Sequence, residues 1–212
     1  MRGMLLDLDD TLLDNKGAMA KGFSEFCAIH KHLAYGTSER ELLAKWHELS
    51  DRHWARYETG ELSFQEQRRY RIREFLDIDL DDQAADSAFR IYRQGYEAGW
   101  RLLPGVAEFL ARTRHIPKVI ITNGNREVQV QKVRVTGLDL HVIGIITPGD
   151  CGHWKPDSKI FEAAIAMLQI APGECLVIGD DYARDIAPAI EMGMPHFHLK
   201  EGVSLLDVPL PA

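Results

Sequence analysis

The chain has 212 residues, of which 45% are hydrophobic and 27% are charged, and its formal net charge is −7. These values are ordinary for a soluble globular protein, and the length allows one good-sized domain that carries a smaller insert. The acidic balance argues against nonspecific binding to nucleic acid or to an anionic membrane. No apolar stretch approaches the ~20 residues that span a bilayer, so we expect no membrane segment.

The cysteine pattern bears on the compartment. Cys27, Cys151 and Cys175 are far apart in the sequence and form no Cys-x-x-Cys pair. An odd number of widely spaced cysteines suits a reducing environment. Acidic residues already appear at Asp7, and no long apolar run precedes them, which argues against a signal peptide. We therefore expect a cytoplasmic protein.

The first stretch with a chemical signature follows a short apolar run at residues 4–6. This run predicts a strand that is buried on both faces. Residues two apart in an extended chain point to the same side, so Asp7 and Asp9 are expected to project together. Like charges repel, and Mg²⁺ is the natural cation to lie between carboxylate oxygens. A polar turn after a strand is the alternative interpretation of this stretch taken alone.

Residues 17–100 show helical periodicity throughout. Apolar side chains recur at three- and four-residue steps. Two capping boxes, Ser38 with Glu41 and Ser63 with Glu66, predict the starts of the second and third helices. A fourth helix follows after an acidic cap. We predict a small bundle of four amphipathic helices with short loops.

Positive charge is concentrated in the third helix of this bundle, which carries Arg68, Arg69, Arg71 and Arg73. Such a group can steer an anionic substrate toward a protein. A solvated helix face is the simpler interpretation, and we expect these four side chains to lie at the surface.

After Pro104 the pattern changes to short apolar strands that alternate with helices. Strands are predicted at residues 119–121, 142–146 and 176–178 and near Phe197. This alternation indicates a parallel sheet that helices cover on both sides. The first strand has no partner among the four helices and must belong to the same sheet.

The predicted fold class is therefore α/β, with a Rossmann-like parallel sheet, helices on both of its faces and an inserted four-helix cap. Residues 1–16 and 101–212 are expected to form the core, and residues 17–100 to form the cap after the first strand. In open α/β sheets, ligands bind at the carboxyl ends of the strands. Polar residues at those ends are the candidates for the site.

Two further strands end in such residues. Thr122, Asn123 and Gly124 lie between a predicted strand and the helix after Asn125. Main-chain N–H groups and the positive end of a helix dipole make a good anion site there. An ordinary strand–turn–helix junction, with Asn125 as N-cap, is the alternative.

Farther along the chain, Lys155 comes just before a helix, and a strand ends in Gly179-Asp180-Asp181 with Asp185 four residues beyond. Taken alone, Lys155 is most simply a solvated surface charge, and the acidic strand end is a capped helix start. The order of these signals, each at the end of a strand, gives them more weight.

Together the four stretches resemble the four motifs of the haloacid dehalogenase superfamily. The motifs are Asp7-Leu8-Asp9-Asp10-Thr11, Thr122 with Asn123-Gly124, Lys155 in Lys-Pro-Asp, and Gly179-Asp180-Asp181 with Asp185. The resemblance covers the whole predicted core. The helical insert resembles the cap of the family's first subgroup, the C1 type.

The resemblance implies a Mg²⁺-dependent phosphatase that hydrolyses a small phosphate monoester through an aspartyl-phosphate intermediate. Asp7 would attack phosphorus, and Asp9 would act first as acid and then as base. Thr122 and Lys155 would complete the catalytic set. The substrate phosphate would be bound by Thr122, Asn123, Gly124 and Lys155.

The same resemblance implies a metal site. Mg²⁺ would be held by Asp7, by the main-chain carbonyl of Asp9 and by Asp180. Asp181 and Asp185 would lie next to these ligands, with Asp185 orienting Lys155 or a metal-bound water. A separate departure is Pro188, which falls early in the following helix; we expect that helix to begin near Asp185 or to be distorted there.

Other functions remain open at this point. A phosphomutase has the same four motifs and is the closest alternative. A haloacid dehalogenase lacks the second aspartate of the first motif, so Asp9 argues against it. A receiver-type signalling domain has no acidic strand end after its lysine, so Asp180 disfavours it. The expected partner is a small phosphorylated metabolite, whose identity the sequence does not determine, and neither does it determine the oligomeric state.

Overall fold

The structure is a computed structural model that describes residues 1–30 and 37–210. The chain divides into two compact units. One consists of Met1–Asn15 together with the chain from Trp100 onward, and the other is Lys16–Gly99. These divisions lie one residue earlier than the boundaries that we expected from the sequence.

The second unit is built from helices. They are α1 (Asn15–Ile29), which begins at the division between the units, α2 (Glu39–Glu58), α3 (Phe64–Leu76) and α4 (Asp82–Glu97). The two predicted capping boxes are confirmed, because Ser38 and Ser63 each exchange hydrogen bonds with the glutamate three residues on. The apolar core of this unit surrounds the fully buried indole of Trp46.

One side chain of α3 contradicts the predicted solvated face. Arg71 is only 6% exposed. Its guanidinium lies 4.4 Å from the ring centre of Trp46, 4.9 Å from that of Phe89 and 5.1 Å from that of Tyr92. Its Nη1 donates a hydrogen bond to Ser50 Oγ at 2.6 Å. The prediction was wrong because aromatic faces attract a guanidinium inside the bundle.

Five described strands of the first unit form a single parallel sheet in the order β3-β2-β1-β4-β5. They are β1 (Gly3–Leu6), β2 (Lys118–Ile121), β3 (Gly144–Ile146), β4 (Cys175–Gly179) and β5 (His196–His198). The central strand β1 pairs with β2 on one side and with β4 on the other. The prediction of an α/β fold with a Rossmann-like parallel sheet is confirmed.

Helices complete this unit: α5 (Val106–Arg112), α6 (Arg126–Val135), α7 (Pro148–Cys151), α8 (Ser158–Leu168) and α9 (Ala187–Glu191). Met4 and Leu6 pack into one apolar cluster, and Leu5 packs into another, so the sheet is covered on both faces. Within the described ranges, none of the helices combines the length and the apolar character that a bilayer crossing requires.

All of these strands run in one direction, so their carboxyl ends meet at one edge of the sheet, called here the carboxyl edge. Leu6 pairs with Ile120 of β2 and with Ile178 of β4. The residues that follow these three strands therefore emerge side by side. This register brings distant motifs of the sequence together.

Candidate active site

Asp7 directly follows β1, and its main-chain N–H donates to the carbonyl of Ile178 at 2.9 Å. The residue is 6% exposed. Its Oδ1 accepts a hydrogen bond from Lys155 Nζ at 2.6 Å, whereas the buried Oδ2 has no hydrogen-bond partner in the described part of the chain. A buried polar atom without a partner costs about 1–3 kcal/mol, and more when it is charged. This oxygen is therefore available to a ligand.

Lys155 lies between two carboxylates. Its Nζ donates to Asp7 Oδ1 and to Asp185 Oδ1, each at 2.6 Å, and the residue is 5% exposed. Burial by itself lowers the pKa of Lys155, but the two carboxylates outweigh it and raise that pKa above its ordinary value. Burial raises the pKa of Asp7, and Lys155 opposes that shift. The lysine is thus a fixed positive charge beside Asp7.

A third carboxylate, that of Asp180, follows β4 at the same edge. The fully buried Thr11 holds it, because Thr11 Oγ1 lies 3.3 Å from Asp180 Oδ1 and accepts a hydrogen bond from Asp180 N at 3.1 Å. Asp7, Asp180 and Asp185 each offer a carboxylate oxygen, and these oxygens all lie within 4.8 Å of one another.

This group fits a hard divalent cation. Three carboxylates face the single ammonium of Lys155, which leaves excess negative charge, and oxygen donors are what Mg²⁺ prefers. The unpartnered Oδ2 of Asp7 is a free donor. Asp185 is less free, because its Oδ1 is bound by Lys155 and its Oδ2 accepts from Asp181 N at 3.2 Å. The residues that would hold the ion are therefore Asp7 and Asp180.

Asp9 does not join this group through its side chain. Its Oδ1 lies 2.6 Å from Lys132 Nζ, and its Oδ2 accepts a hydrogen bond from Gln129 Nε2 at 2.8 Å. Strand β1 ends at Leu6, so the extended-chain argument that aligned Asp7 with Asp9 does not apply beyond that residue. The contact of the Asp9 main-chain carbonyl with a metal stays a prediction.

Gln129 and Lys132 were not among the site residues predicted from the sequence. Both lie on α6 and are 1% and 3% exposed. The available signal was their spacing: residues three apart on a helix share a face, and Gln129 also follows the N-cap Asn125 by four positions. That face begins at the predicted anion site, so its polar side chains point back toward the same edge.

The residues after β2 are engaged with one another. Thr122 Oγ1 accepts a hydrogen bond from Gly124 N at 3.1 Å and one from Gln129 Nε2 at 2.7 Å. The side chain of Asn123 binds the main chain of Lys155. Its Nδ2 donates to Lys155 O at 2.9 Å and its Oδ1 accepts from Lys155 N at 2.6 Å. Its side chain fixes the lysine, so a phosphate contact is left to its main-chain N–H.

Asp181 is exposed, and its carboxylate accepts from the main-chain N–H groups of Ala183 and Arg184 at 2.9 and 3.0 Å. It caps a π-helical turn, Tyr182–Ile186, which contains Asp185 and precedes α9. The distortion that we expected before Pro188 is therefore present. The turn aims Asp185 at Lys155.

The fold and these motifs agree with the comparisons with known proteins. The chain matches the haloacid dehalogenase-like hydrolase family over residues 1–193. It belongs to this family, and the resemblance drawn from the four motifs is confirmed. The protein is accordingly an enzyme of the hydrolase class.

Relatives that align with most of this chain include named phosphatases. The phosphoserine phosphatase of Thermus thermophilus is 28% identical over 211 residues, which is 89% of this chain and 84% of that protein. The N-acylneuraminate-9-phosphatase of Rattus norvegicus is 23% identical and aligns with 100% of this chain and 88% of its own length. The predicted enzyme class, a phosphoric monoester hydrolase, agrees with these names.

Among solved structures, the YfnB protein of Bacillus subtilis, described as a HAD hydrolase bound to magnesium, has a TM-score of 0.73 to this chain. The two are 22% identical, and the match covers 92% of this chain and 85% of YfnB. At this identity the similarity establishes the fold. The assignment of the helical unit to the C1 type of cap stays a prediction.

Proposed function

We propose that this protein is a Mg²⁺-dependent phosphatase that hydrolyses a small phosphate monoester by way of an aspartyl phosphate on Asp7. The observation that carries the proposal is the buried Asp7–Lys155–Asp185 group with Asp180 beside it. Within the described residues, the buried Oδ2 of Asp7 has no hydrogen-bond partner, and the charge of the group suits both a cation and a phosphate.

In the first step, an Asp7 carboxylate oxygen attacks phosphorus, and the bond from phosphorus to the leaving oxygen breaks. Asp9 donates its proton to that oxygen, so an alcohol leaves and Asp9 becomes a carboxylate. Lys155 and the main-chain N–H groups around Thr122 stabilise the charge on the transferring group. The ion pair of Asp9 with Lys132 corresponds to the carboxylate form of Asp9.

In the second step, Asp9 takes a proton from a water molecule whose oxygen attacks phosphorus. The bond between phosphorus and Asp7 breaks, which releases phosphate and restores the Asp7 carboxylate. Asp9 thereby regains the proton it gave up. Asp185 keeps the ammonium of Lys155 in place through both steps.

Mg²⁺ at Asp7, Asp180 and the Asp9 carbonyl would neutralise phosphate charge and orient the phosphoryl group. At an effective dielectric near 20, two like unit charges ~4 Å apart repel by about 4 kcal/mol. A carboxylate nucleophile and a phosphate dianion therefore need this compensation. Lys155 supplies one positive charge, and Asp7 and Asp180 would hold the ion that supplies the rest.

The alternatives are less well supported. Curated relatives that align with most of this chain are named phosphatases, so a phosphomutase is not favoured. A haloacid dehalogenase has no proton-exchanging group at the position of Asp9, and here that carboxylate has two partners of its own.

The proposed substrate is a small phosphorylated metabolite. The names of the relatives point to phosphoserine in one case and to a phosphorylated sugar acid in another. A cytoplasmic location stays a prediction; the free thiols of Cys27, Cys151 and Cys175 are consistent with it.

The test is the hydrolysis of p-nitrophenyl phosphate with Mg²⁺, with a chelator, and with Mg²⁺ restored. We expect the chelator to abolish turnover and Mg²⁺ to recover it. Asp7→Asn should lower kcat by at least about 1,000-fold, because the nucleophile is lost.

Asp139→Asn is the matched control, since Asp139 is an exposed carboxylate in the 3-10 helix Leu138–Leu140 and makes none of the site contacts described above. It should keep the activity of the wild type. Turnover that resists the chelator and persists in Asp7→Asn would refute the proposal.

A further inference from the structure

Two buried side chains of α6 bind both oxygens of the Asp9 carboxylate. Lys132 Nζ lies 2.6 Å from Oδ1, and Gln129 Nε2 lies 2.8 Å from Oδ2. The side chain of Asp9 is 27% exposed, whereas that of Lys132 is 3% exposed. The carboxylate is thus held from inside the protein while part of its surface stays open to solvent.

This arrangement is stiffer than a single ion pair. The side chains at positions 129 and 132 lie on one face of a helix, so the helix sets their separation. A donor on each oxygen fixes the rotation of the carboxylate as well as its position. Each oxygen has two lone pairs, so both remain able to exchange a proton with a second partner.

Gln129 also ties Asp9 to the residues after β2. The same Nε2 that donates to Asp9 lies 2.7 Å from Thr122 Oγ1. Its side chain rests against Gly124, where an added Cβ would come within 2.2 Å of Gln129 Cδ. The amide therefore links the proton-exchanging carboxylate to the segment that is proposed to bind phosphate.

We propose that Gln129 and Lys132 are positioning residues for the reaction, and that they hold the Asp9 carboxylate where it meets the leaving oxygen and later the attacking water. The inference rests on the proposed function. The protons that move are those of Asp9 and of water; the N–H protons of Gln129 and Lys132 stay on nitrogen. A misplacement of about 1 Å in such a group can cost on the order of 100-fold in rate.

Proton donation by Asp9 matters more when the leaving group is a poor one. An alkyl phosphate releases a weakly acidic alcohol and needs the proton, whereas p-nitrophenyl phosphate releases a stable phenolate and needs it far less. The parameter kcat/KM covers the steps up to phosphoryl transfer to Asp7. The ratio of kcat/KM for the two substrates therefore reports how well Asp9 is placed.

The experiment measures this ratio, with 2-phosphoglycerol as the alkyl phosphate, in Lys132→Met, Gln129→Ala and the wild type. We expect kcat/KM to fall about 10- to 100-fold for the alkyl phosphate and at most about threefold for the aryl phosphate. Lys132→Arg, which keeps a cationic donor, should recover part of the loss. Gln129→Glu, which has the same shape but no donor, should not recover it.

Matched controls are Gln131→Ala and Arg134→Met, because both side chains are exposed on the same helix. They should leave the ratio unchanged. Melting temperatures identify any variant that is unfolded, and each of the two positions tests the inference independently of the other.

Equal losses on both substrates, or no loss, would overturn the inference and leave the proposed function standing. A wild type that hydrolyses neither substrate with Mg²⁺ would overturn both. A larger loss on the alkyl phosphate at both positions would support the inference.

Discussion

A buried lysine lies at the amino ends of the strands, called here the amino edge, and another lies at the carboxyl edge. The two lysines have different partners. At the amino edge, Lys118 begins β2, is 1% exposed and donates to the main-chain carbonyls of Thr113 and Ile116, the latter at 2.8 Å. At the carboxyl edge, Lys155 is 5% exposed and lies between two carboxylates. The burial of the two is almost equal.

The electrostatic consequence is opposite. Burial lowers the pKa of Lys118 to about 8, since no carboxylate compensates for the lost hydration. At Lys155 the carboxylates of Asp7 and Asp185 raise the pKa above its ordinary value despite burial. Burial of a charged side chain therefore does not by itself identify a functional site. A buried lysine whose carboxylate partners outnumber it does indicate such a site.

The glycines on either side of β4 also differ in the space around them. Gly173 precedes the strand, and a Cβ there would meet nothing closer than Gly193 O at 3.9 Å. Gly179 ends the strand, and a Cβ there would lie 2.2 Å from Asp185 Oδ2. A side chain at Gly179 would therefore press on the Asp185 carboxylate, whereas a side chain at Gly173 would meet open space.

The largest expected difference in activity is between variants that lack one or the other of these two lysines. Lys155→Met should lower kcat for p-nitrophenyl phosphate by about 1,000-fold, because it removes the positive charge beside Asp7. Lys118→Met should keep kcat within about twofold, since its partners are main-chain carbonyls outside the site.

Denaturant unfolding of the same two variants tests the energetic side. Lys155→Met leaves two buried carboxylates unpaired and should lose about 3–5 kcal/mol of unfolding free energy. Lys118→Met loses two hydrogen bonds but also removes a poorly hydrated charge, so a change below about 1.5 kcal/mol is expected. A Lys118→Met variant that folds normally yet loses as much activity as Lys155→Met would contradict the assignment of a catalytic role to Lys155 alone.

A smaller effect is expected from the glycines. Gly179→Ala should displace Asp185, loosen Lys155 and lower kcat by about 10- to 100-fold. Gly173→Ala is the matched control at the other end of the same strand and should retain full activity. Both variants would be assayed with p-nitrophenyl phosphate and checked by circular dichroism. Equal activity of the two would mean that Asp185 does not hold Lys155 in place.

The smallest effect concerns the pH dependence of stability. The pKa of Lys118 is about 8 in the folded protein and 10.5 in the unfolded reference. Between these values the unfolded chain binds more protons, so this group makes the unfolding free energy rise with pH. The rise should amount to about 2 kcal/mol after allowance for solvent screening.

Urea unfolding of the wild type and of Lys118→Met across this pH window measures the effect, because the variant lacks the titrating group. The wild type should gain stability relative to the variant as the pH increases. Parallel curves for the two proteins would show that Lys118 titrates normally.

Much of the fold could be predicted because its signals are local. Apolar runs of three to five residues indicated the strands, and the capping boxes at Ser38 and Ser63 marked the starts of α2 and α3. The candidate site was predictable to the same extent. Residues that directly follow neighbouring parallel strands must share an edge, which is why Asp7 and Asp180 come together.

Periodicity and strand ends are properties of short segments, so the parallel sheet and the principal charges of its carboxyl edge could be predicted from the sequence. The three-dimensional packing, in contrast, buries Arg71 among aromatic rings and brings the Asn123 side chain to the main chain of Lys155. It also placed the donors on Asp9, which lie 120 and 123 residues away along the chain. Contacts over such distances depend on how whole elements pack, and no local pattern encodes that packing.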